Sequence, residues 1–412
     1  MNNRFEFQKK RKFIYDQIED FWPDLYETEY ALLDVILFTE QDVEEIKIAT
    51  NRVGKIFYKT AKLLRQVDDE TLFQIDIPKE VLPYIRHQYL PVESVIARCD
   101  FVKTKDGYKL LELNADTPTF IKEVFHVNRY ITEYFGVENP NKGLENELAR
   151  SIQKAILESA IKLKNDNPNI VFTSHDDHEE DKFTTKYLLE ISEIRAKFVP
   201  LHKLTIINNE GLYDENGQKI DILYRQTYPL EHLILDEDPV TKEKVGVQLL
   251  DLVIQNKLAI INPISAFLLQ SKAVQAVIWG LYEKNHPFFT KEEKEWIKAY
   301  FLPTYLDNDF FVQHGLKYVK KPSYGREGDT VEIFLGTEKV LEDPNKTYHA
   351  SIPVYQQFVE LPFCTIQTSH GKKEAKFLIG SFLVNGKASG FGVRAGGQIT
   401  DNGAYFLPVG IQ

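Results

Sequence analysis

Cysteine is nearly absent from this chain. Cys99 and Cys364 are the only two in 412 residues, too few for a disulfide framework and not at the paired spacing of a thiolate metal site. A reducing cytoplasm is the expected compartment. No apolar run approaches membrane-spanning length, and the stretch Met1 to Lys12 has no apolar core of a signal peptide. Positive charge is in deficit, 50 Lys and Arg against 61 Asp and Glu for a formal net charge of −11. That balance argues against nucleic acid or an anionic membrane as the main partner and leaves room for a local basic pocket. Internal repeats and low-complexity tracts are also missing. What remains is 43% apolar and 12% aromatic, ample for the cores of two or three domains.

The most informative stretch is Val95 to Asn114. Both flanks are rich in Val, Ile, Phe, Tyr and Leu around Lys105-Asp106-Gly107, so the spacing predicts a β-hairpin. A three-residue loop with Gly107 in the left-handed position pairs Thr104 with Tyr108. It sets Asp100 opposite Glu112 and Arg98 opposite Asn114, all on one face. A two-residue loop would split the set between faces. Two carboxylates and an amide oxygen suit Mg²⁺, which takes a few carboxylates together with substrate phosphates, and an arginine beside them would meet those phosphates. An ordinary exposed hairpin with a cross-strand ion pair accounts for the spacing equally well. The segment Ala115-Asp116-Thr117-Pro118-Thr119, adding hydroxyls and a carboxylate at the strand exit, favours a site.

Arg4 to Gln66 reads as helical, with Phe13, Ile14, Ile18 and Phe21, then Leu32, Leu33, Val35 and Ile36, at three- and four-residue steps. These helices are expected to cover the hairpin. Leu144 to Lys164 is a further amphipathic helix, and Asn169 to His175 a buried strand that opens an α/β unit, with later strands at Ala196 to Val199 and Asp221 to Arg225. Loops at the carboxyl ends of such strands meet ligands. That position raises Glu179 and Glu180, within the acidic run after His175, to candidates for holding an amine, although acidic runs are most often solvated. Thr227, before Pro229, is a candidate hydroxyl for substrate or simply part of a turn. The predicted division is 1–160, a helical region with the hairpin; 161–265, an α/β substrate domain; and 266–412, a nucleotide-binding region.

In that last region Lys272 stands at a helix start, where a cation opposes the helix dipole and is better explained by an anionic partner. Tyr318 to Asp329 is a strand and then a glycine-flanked basic loop, and Thr330 to Leu335 a second strand. Such a loop can fold over a triphosphate, with backbone N–H groups and Arg326 meeting its charge and Lys321 reaching from the strand. It is not a Walker A loop, because no Gly-x-x-x-x-Gly-Lys-Ser/Thr opens a helix. Val354 to Pro362 reads as a strand and proline stop, suited to a hinge whose backbone pairs with an adenine edge. Arg394, among Gly390, Gly392, Gly396 and Gly397, repeats the phosphate-binding arrangement.

Together, in this order from about Glu93 to Arg394, the motifs resemble the glutathionylspermidine synthase family, whose synthetase domain is an ATP-grasp C–N ligase. The resemblance implies an α/β fold of ATP-grasp type with a pre-ATP-grasp domain. It implies that Asp100, Glu112 and Asn114 bind Mg²⁺, and that Arg98, Lys272 and Lys321 meet the phosphates of ATP. Glu327 and Gly328 would lie in the lid loop, and Gln356, Gln357, Phe358 and Val359 at the adenine hinge. Arg394 matches the arginine that steadies the acyl phosphate. Thr117, Glu179, Glu180, Thr227 and Arg326 match contacts to a thiol peptide, the acidic pair also lying near the amine. Three departures stand out. The cysteine amidase of bifunctional members has no counterpart, so product hydrolysis is not expected. The strand Lys376 to Ile379 is apolar where the family has a glutamine near the polyamine, and Asp401 alone matches its acidic contact. The expected reaction is therefore ATP-dependent amide formation between a small acid and an amine. The rivals are ligation of a different acid and amine, and nucleotide binding without turnover.

Overall fold

A computed structural model describes residues 2–326, 328–401 and 403–412, so the expected lid residue Glu327 lies outside the described residues. Its largest sheet is antiparallel and runs Tyr405–Leu407, Lys387–Gly396, Gly371–Val384, Ile96–Thr104, Gly107–Asn114, with Phe363–Thr368 added beside Gly371–Val384. N-terminal hairpin and C-terminal strands thus share one sheet and one core. A five-stranded antiparallel sheet is ordered Thr304–Tyr305, Pro353–Gln357, Lys317–Pro322, Glu332–Leu335, Glu338–Glu342. A four-stranded parallel sheet is ordered Ala259–Ile261, Ile222–Gln226, Ile170–Ser174, Lys197–Phe198. Its three longer strands are buried at every position, as expected of parallel strands covered on both faces. No single helix among the described residues is long and apolar enough to cross a membrane.

The first 66 residues are less helical than their apolar spacing predicts. Helices occupy Asn2–Tyr15 and Glu40–Leu64, while Ile36–Phe38 is a strand pairing with Val409–Ile411. Pro23 interrupts any continuous helix. Leu32 and Leu33 are buried in an extended segment whose backbone bonds Phe406, so sheet pairing overrides the helical period. Helix Glu40–Leu64 does cover the sheet: a Thr39–Asp42 capping box starts it, and Ile46, Val53 and Phe57 are fully buried. Each such apolar side chain contributes about 1.5–3 kcal/mol.

The hairpin reaches the expected pairing by an unexpected route. Its loop has two residues, Thr104 pairing with Gly107, and the ladder then slips at a bulge between Asp100 and Phe101. Leu111 is the extra residue, so Asp100 still faces Glu112 and Arg98 still faces Asn114. The bulge frees the Leu111 carbonyl, which accepts hydrogen bonds from Gln275 at 3.2 Å and Lys321 at 3.3 Å. A loop that should have split the polar set is compensated by one inserted residue.

Gly392 lies where the sheet meets the helical segment Glu123–Val127. A Cβ there would stand 2.7 Å from both Phe120 and Val124, side chains whose own positions are buried. Gly392→Ala is predicted to lose about 1–3 kcal/mol of stability through overpacking, read as a shift in urea midpoint at unchanged slope; an unshifted midpoint contradicts this packing.

Candidate active site

The polar face of the hairpin forms the floor of a cleft. The Arg98 guanidinium donates to both oxygens of Asp100, Nε to Oδ1 at 2.7 Å and a terminal nitrogen to Oδ2 at 3.0 Å, and to the Thr119 carbonyl at 3.0 Å. Gly380, opposite Asp100 on the next strand, leaves room for this arginine, whose Cδ is 3.1 Å from where a Cβ would be. Asn114 Nδ2 lies 3.3 Å from Glu112 Oε1 and 3.5 Å from Asp100 Oδ2. Three oxygen-bearing side chains therefore converge on one spot.

Two lysines descend on the same spot. Lys272, which caps the helix Ala273–Glu283, reaches Glu112 at 3.4 Å and donates to the Gly325 carbonyl at 2.8 Å, so its anionic partner here is Glu112. Lys321 donates to Gln356 Oε1 at 2.7 Å. Burial pulls the Lys321 ammonium down to about 8, with Glu112 opposing and Lys272 adding to the fall. Burial would raise the Glu112 carboxyl, but Lys272, Lys321 and Arg98 outweigh it and hold it well below the usual range. Arg98 is likewise kept charged, Asp100 overcoming the cost of burial.

Three adjoining chambers meet here. The first runs from Asp100, Glu112, Lys272 and Lys321 past Gly325, Arg326 and Gly328 to Gln356, Gln357 and Val359, with an apolar wall of Val319, Val331, Ile333, Leu361 and Leu378. That shape suits a flat ring at one end and polyphosphate at the other. The second holds Arg98, Asp100, Glu112, Asn114, Thr117, Glu180, Arg326 and Arg394. The third, about 650 Å³, is bounded by His175, Glu180, Thr227, Tyr228, His232, Arg326 and Tyr348. Arg326 borders all three and donates to the Thr117 hydroxyl.

Most expected site residues thus border one continuous space. Glu179 does not: it is exposed and borders none of the chambers, because as the first residue of the helix Glu179–Ser192 it points away while Glu180 faces in. Phe358 also stands outside the first chamber, its ring under the Lys317 ammonium at 3.8 Å. At the expected hinge, the Gln357 N–H bonds the Pro303 carbonyl and the Phe358 N–H the Lys317 carbonyl, so those donors are engaged within the protein. Residues with no local signal complete the site: Tyr30 and Phe120 in the second chamber, Gln398 in the first, and Tyr348 in the third. Only long-range pairing could have placed them.

Residues 5–412 match the family model described as glutathionylspermidine synthase pre-ATP-grasp. A Haemophilus influenzae protein provisionally named an acid–amine ligase is 25% identical over 391 residues, covering 90% of this chain and 88% of its own length. The bifunctional glutathionylspermidine synthetase/amidase of Escherichia coli K12 is 23% identical over 377 residues, covering 85% of this chain. This chain spans about half of that enzyme, 55%. Among solved structures, a glutathione synthetase-like effector from Globodera pallida, in its apo form, superposes with a TM-score of 0.60 over 99% of this chain and 96% of its own, at 13% identity. That likeness supports the ATP-grasp type of fold.

Glu231, next to His232 of the third chamber, is nearly fully buried, and neither carboxylate oxygen has a hydrogen-bond partner among the described residues. Burial lifts its carboxyl from 4.5 to about 7, with Arg326 opposing. The folded protein therefore binds this proton more tightly than the unfolded chain, and the associated stability is full below about 4.5 and lost as pH rises through 7. Glu231→Gln, which mimics the neutral acid, is predicted to raise the Tm at pH 8 and to lose that advantage by pH 4.5; a variant less stable at pH 8 contradicts the assignment.

Proposed function

The chain belongs to the glutathionylspermidine synthase pre-ATP-grasp family, and from that premise we propose that it is an ATP- and Mg²⁺-dependent acid–amine ligase working through an acyl phosphate. The observation that carries this reading is the convergence of Asp100, Glu112 and Asn114 with Lys272 and Lys321 on one side and Arg98, Arg326 and Arg394 on the other. Two carboxylates and one amide fit a magnesium site, since a half-turn of the Asn114 amide brings a third oxygen to the place its nitrogen now occupies. When bound, Mg²⁺ disperses charge over the phosphate oxygens.

The protein's own groups do the rest by position and charge. Lys272 and Lys321 hold the phosphates of ATP, and the apolar wall with Gln356, Gln357 and Val359 holds the base. Gly328 lies in the loop over the nucleotide. Arg98 neutralises charge as the γ-phosphoryl passes to a substrate carboxylate. Arg394, fixed by a 3.0 Å bond to the Asp401 carbonyl, steadies the acyl phosphate and then the oxyanion as the amine attacks. Thr117, Thr227 and Arg326 hold a thiol peptide-like acid such as glutathione, and Glu180 meets the amine. ATP as co-substrate fits a cytoplasmic enzyme.

The amine subsite differs from one built for a polycation. Of the five carboxylates bordering the third chamber, Asp329 accepts from Thr330 and Thr347, Asp181 is 3.2 Å from His178, and Asp401 accepts from the Gly403 N–H, which leaves Glu180 and the exposed Asp177 for an amine. Rings of Tyr228, His232 and Tyr348 run along one side, with neighbouring centroids 6.0 and 5.7 Å apart. Each buried ammonium needs its own carboxylate. An amine with few charges and an apolar end is therefore the preferred substrate.

Three measurements test this reading. ADP release is expected to require Mg²⁺, an acid and an amine together, with an amide product seen by mass spectrometry; ADP release indifferent to acid and amine refutes ligation. Lys272→Ala and Lys321→Ala are each expected to weaken ATP binding or turnover by about tenfold or more, roughly 1.4 kcal/mol, without weakening binding of the acid; unchanged nucleotide kinetics in both refute the phosphate roles. Across mono-, di- and polyamines, kcat/KM is expected not to climb with the number of charges, and a steady climb refutes the apolar-end assignment.

A further inference from the structure

A short connector between two sheets borders the first chamber. Strand Pro353–Gln357 belongs to the five-stranded sheet and strand Phe363–Thr368 to the largest one, so Phe358 to Pro362 cross from one to the other. Val359 and Leu361 line the chamber from this crossing. Both sheets also wall it, with Val319 and Ile333 from one and Leu111 and Leu378 from the other. The grip on a flat ring placed between two such walls depends on their spacing, because contact energy falls steeply over a gap of less than about 1 Å.

Gln398 holds the connector against the largest sheet. It stands two residues beyond the strand Lys387–Gly396, and its amide is spent mainly on backbone. Nε2 donates to the Val359 carbonyl at 2.9 Å, while Oε1 accepts the Leu361 N–H at 3.1 Å and the Lys376 ammonium at 2.7 Å. Lys376, on the strand Gly371–Val384, also pairs with Glu360. The amide and this lysine thus bind three successive residues of the connector, and the Phe377 N–H fixes Pro362 by donating to its carbonyl at 3.0 Å. One group is left over. The Val359 N–H has no hydrogen-bond partner among the described residues, and an N–H beside an apolar slot is a donor for a ring nitrogen.

We propose that Gln398 is the positioning residue of the nucleotide-base subsite: by clamping Val359 and Leu361 to the largest sheet it sets the width of the slot and presents the Val359 N–H to a ring nitrogen of the base. The inference rests on the ligase reading above, which puts ATP in the first chamber. Gln398 acts through the connector, whereas Lys272 and Lys321 hold the phosphates. Its loss is therefore felt by the base far more than by the phosphates.

The test measures binding to the full chain with Mg²⁺ by titration calorimetry, using ATP and inorganic tripolyphosphate, which carries phosphates and no base. The wild type is expected to bind ATP more tightly by about tenfold or more. Gln398→Ala is expected to lower the ratio of the two affinities about tenfold. Gln398→Glu, which keeps the shape and the acceptor but loses the donor to Val359, lowers it in the same direction. A general loosening of the fold weakens both ligands in step, so a ratio unmoved in both variants overturns the inference whatever the separate affinities do. A wild type that binds tripolyphosphate as tightly as ATP overturns the inference and leaves the phosphate roles standing. A wild type that binds neither overturns the ligase reading and the inference with it.

Discussion

The buried ion pair between Asp116 and Arg225 is the joint on which the site is assembled. The guanidinium lies 2.5 Å from Asp116 Oδ1, with both side chains almost wholly excluded from solvent, and Asp116 Oδ2 accepts the Leu230 N–H at 3.0 Å. Asp116 lies two residues beyond the hairpin and Arg225 is the penultimate residue of a strand of the parallel sheet, so the pair fastens the two sheets together beside Thr117 and Thr227, which border the chambers. Neighbouring amides make the joint continuous. Asn262 bonds the backbone of Val95 and Ile96 on one arm of the hairpin and of Ala115 and Asp116 on the other, while Gln270 Oε1 accepts the Ala115 N–H. Breaking one side of such a pair costs about 3–5 kcal/mol because a charge is stranded. Thr117 and Thr119, which receive Arg326 and Arg98, follow directly from it.

Electrostatic balance is the second constraint. On a chain with net charge −11, Arg98, Lys272, Lys321, Arg326 and Arg394 are gathered around two chambers. Mutual repulsion in a buried place is offset by Asp100 and Glu112, which pair with Arg98 and Lys272. Those same carboxylates belong to the proposed magnesium set. On the ligase reading, an arriving metal–polyphosphate complex would exchange one set of pairings for another, the carboxylates holding the cation and the lysines the phosphate. Such an exchange preserves local neutrality, so little charge is left exposed in a low-dielectric cleft at any stage.

Legibility in the sequence tracked how local the determining contacts are. Strand Ile170–Ser174, helix Leu144–Leu163 and the glycine loop between Lys317–Pro322 and Glu332–Leu335 carry their own periodicity and breakers, and they lie where that pattern put them. The pairing of Asp100 with Glu112 was legible, but its route was not, since the loop is one residue shorter than expected and the bulge at Leu111 restores the face. Nothing local marks such a bulge; it follows from Lys321 and Gln275, far along the chain, binding the carbonyl it frees. The segment between Tyr15 and Glu40 read as helix because apolar residues three and four apart arise by chance where a non-helical piece, Tyr30 to Leu33, is buried at every position. Gln398 had no motif at all. Its place comes from contacts with Val359 and Leu361 across 39 and 37 residues, which spacing cannot encode.

Arg326 shows how one residue couples the chambers. It follows Gly325, whose φ of 152° and carbonyl bond to Lys272 set the direction of the loop. A side chain at Gly325 would meet Pro322 at 2.7 Å, and one at Gly328, where φ is 75°, would meet Ile399 at 2.6 Å. Both glycines are therefore required by crowding as well as by backbone conformation. The loop's Gly325 carbonyl binds Lys272 in the first chamber and its Arg326 binds Thr117 in the second, so the loop ties the two chambers together. On the ligase reading, this one short segment would link occupancy by nucleotide and acid and align the phosphates with the attacking carboxylate.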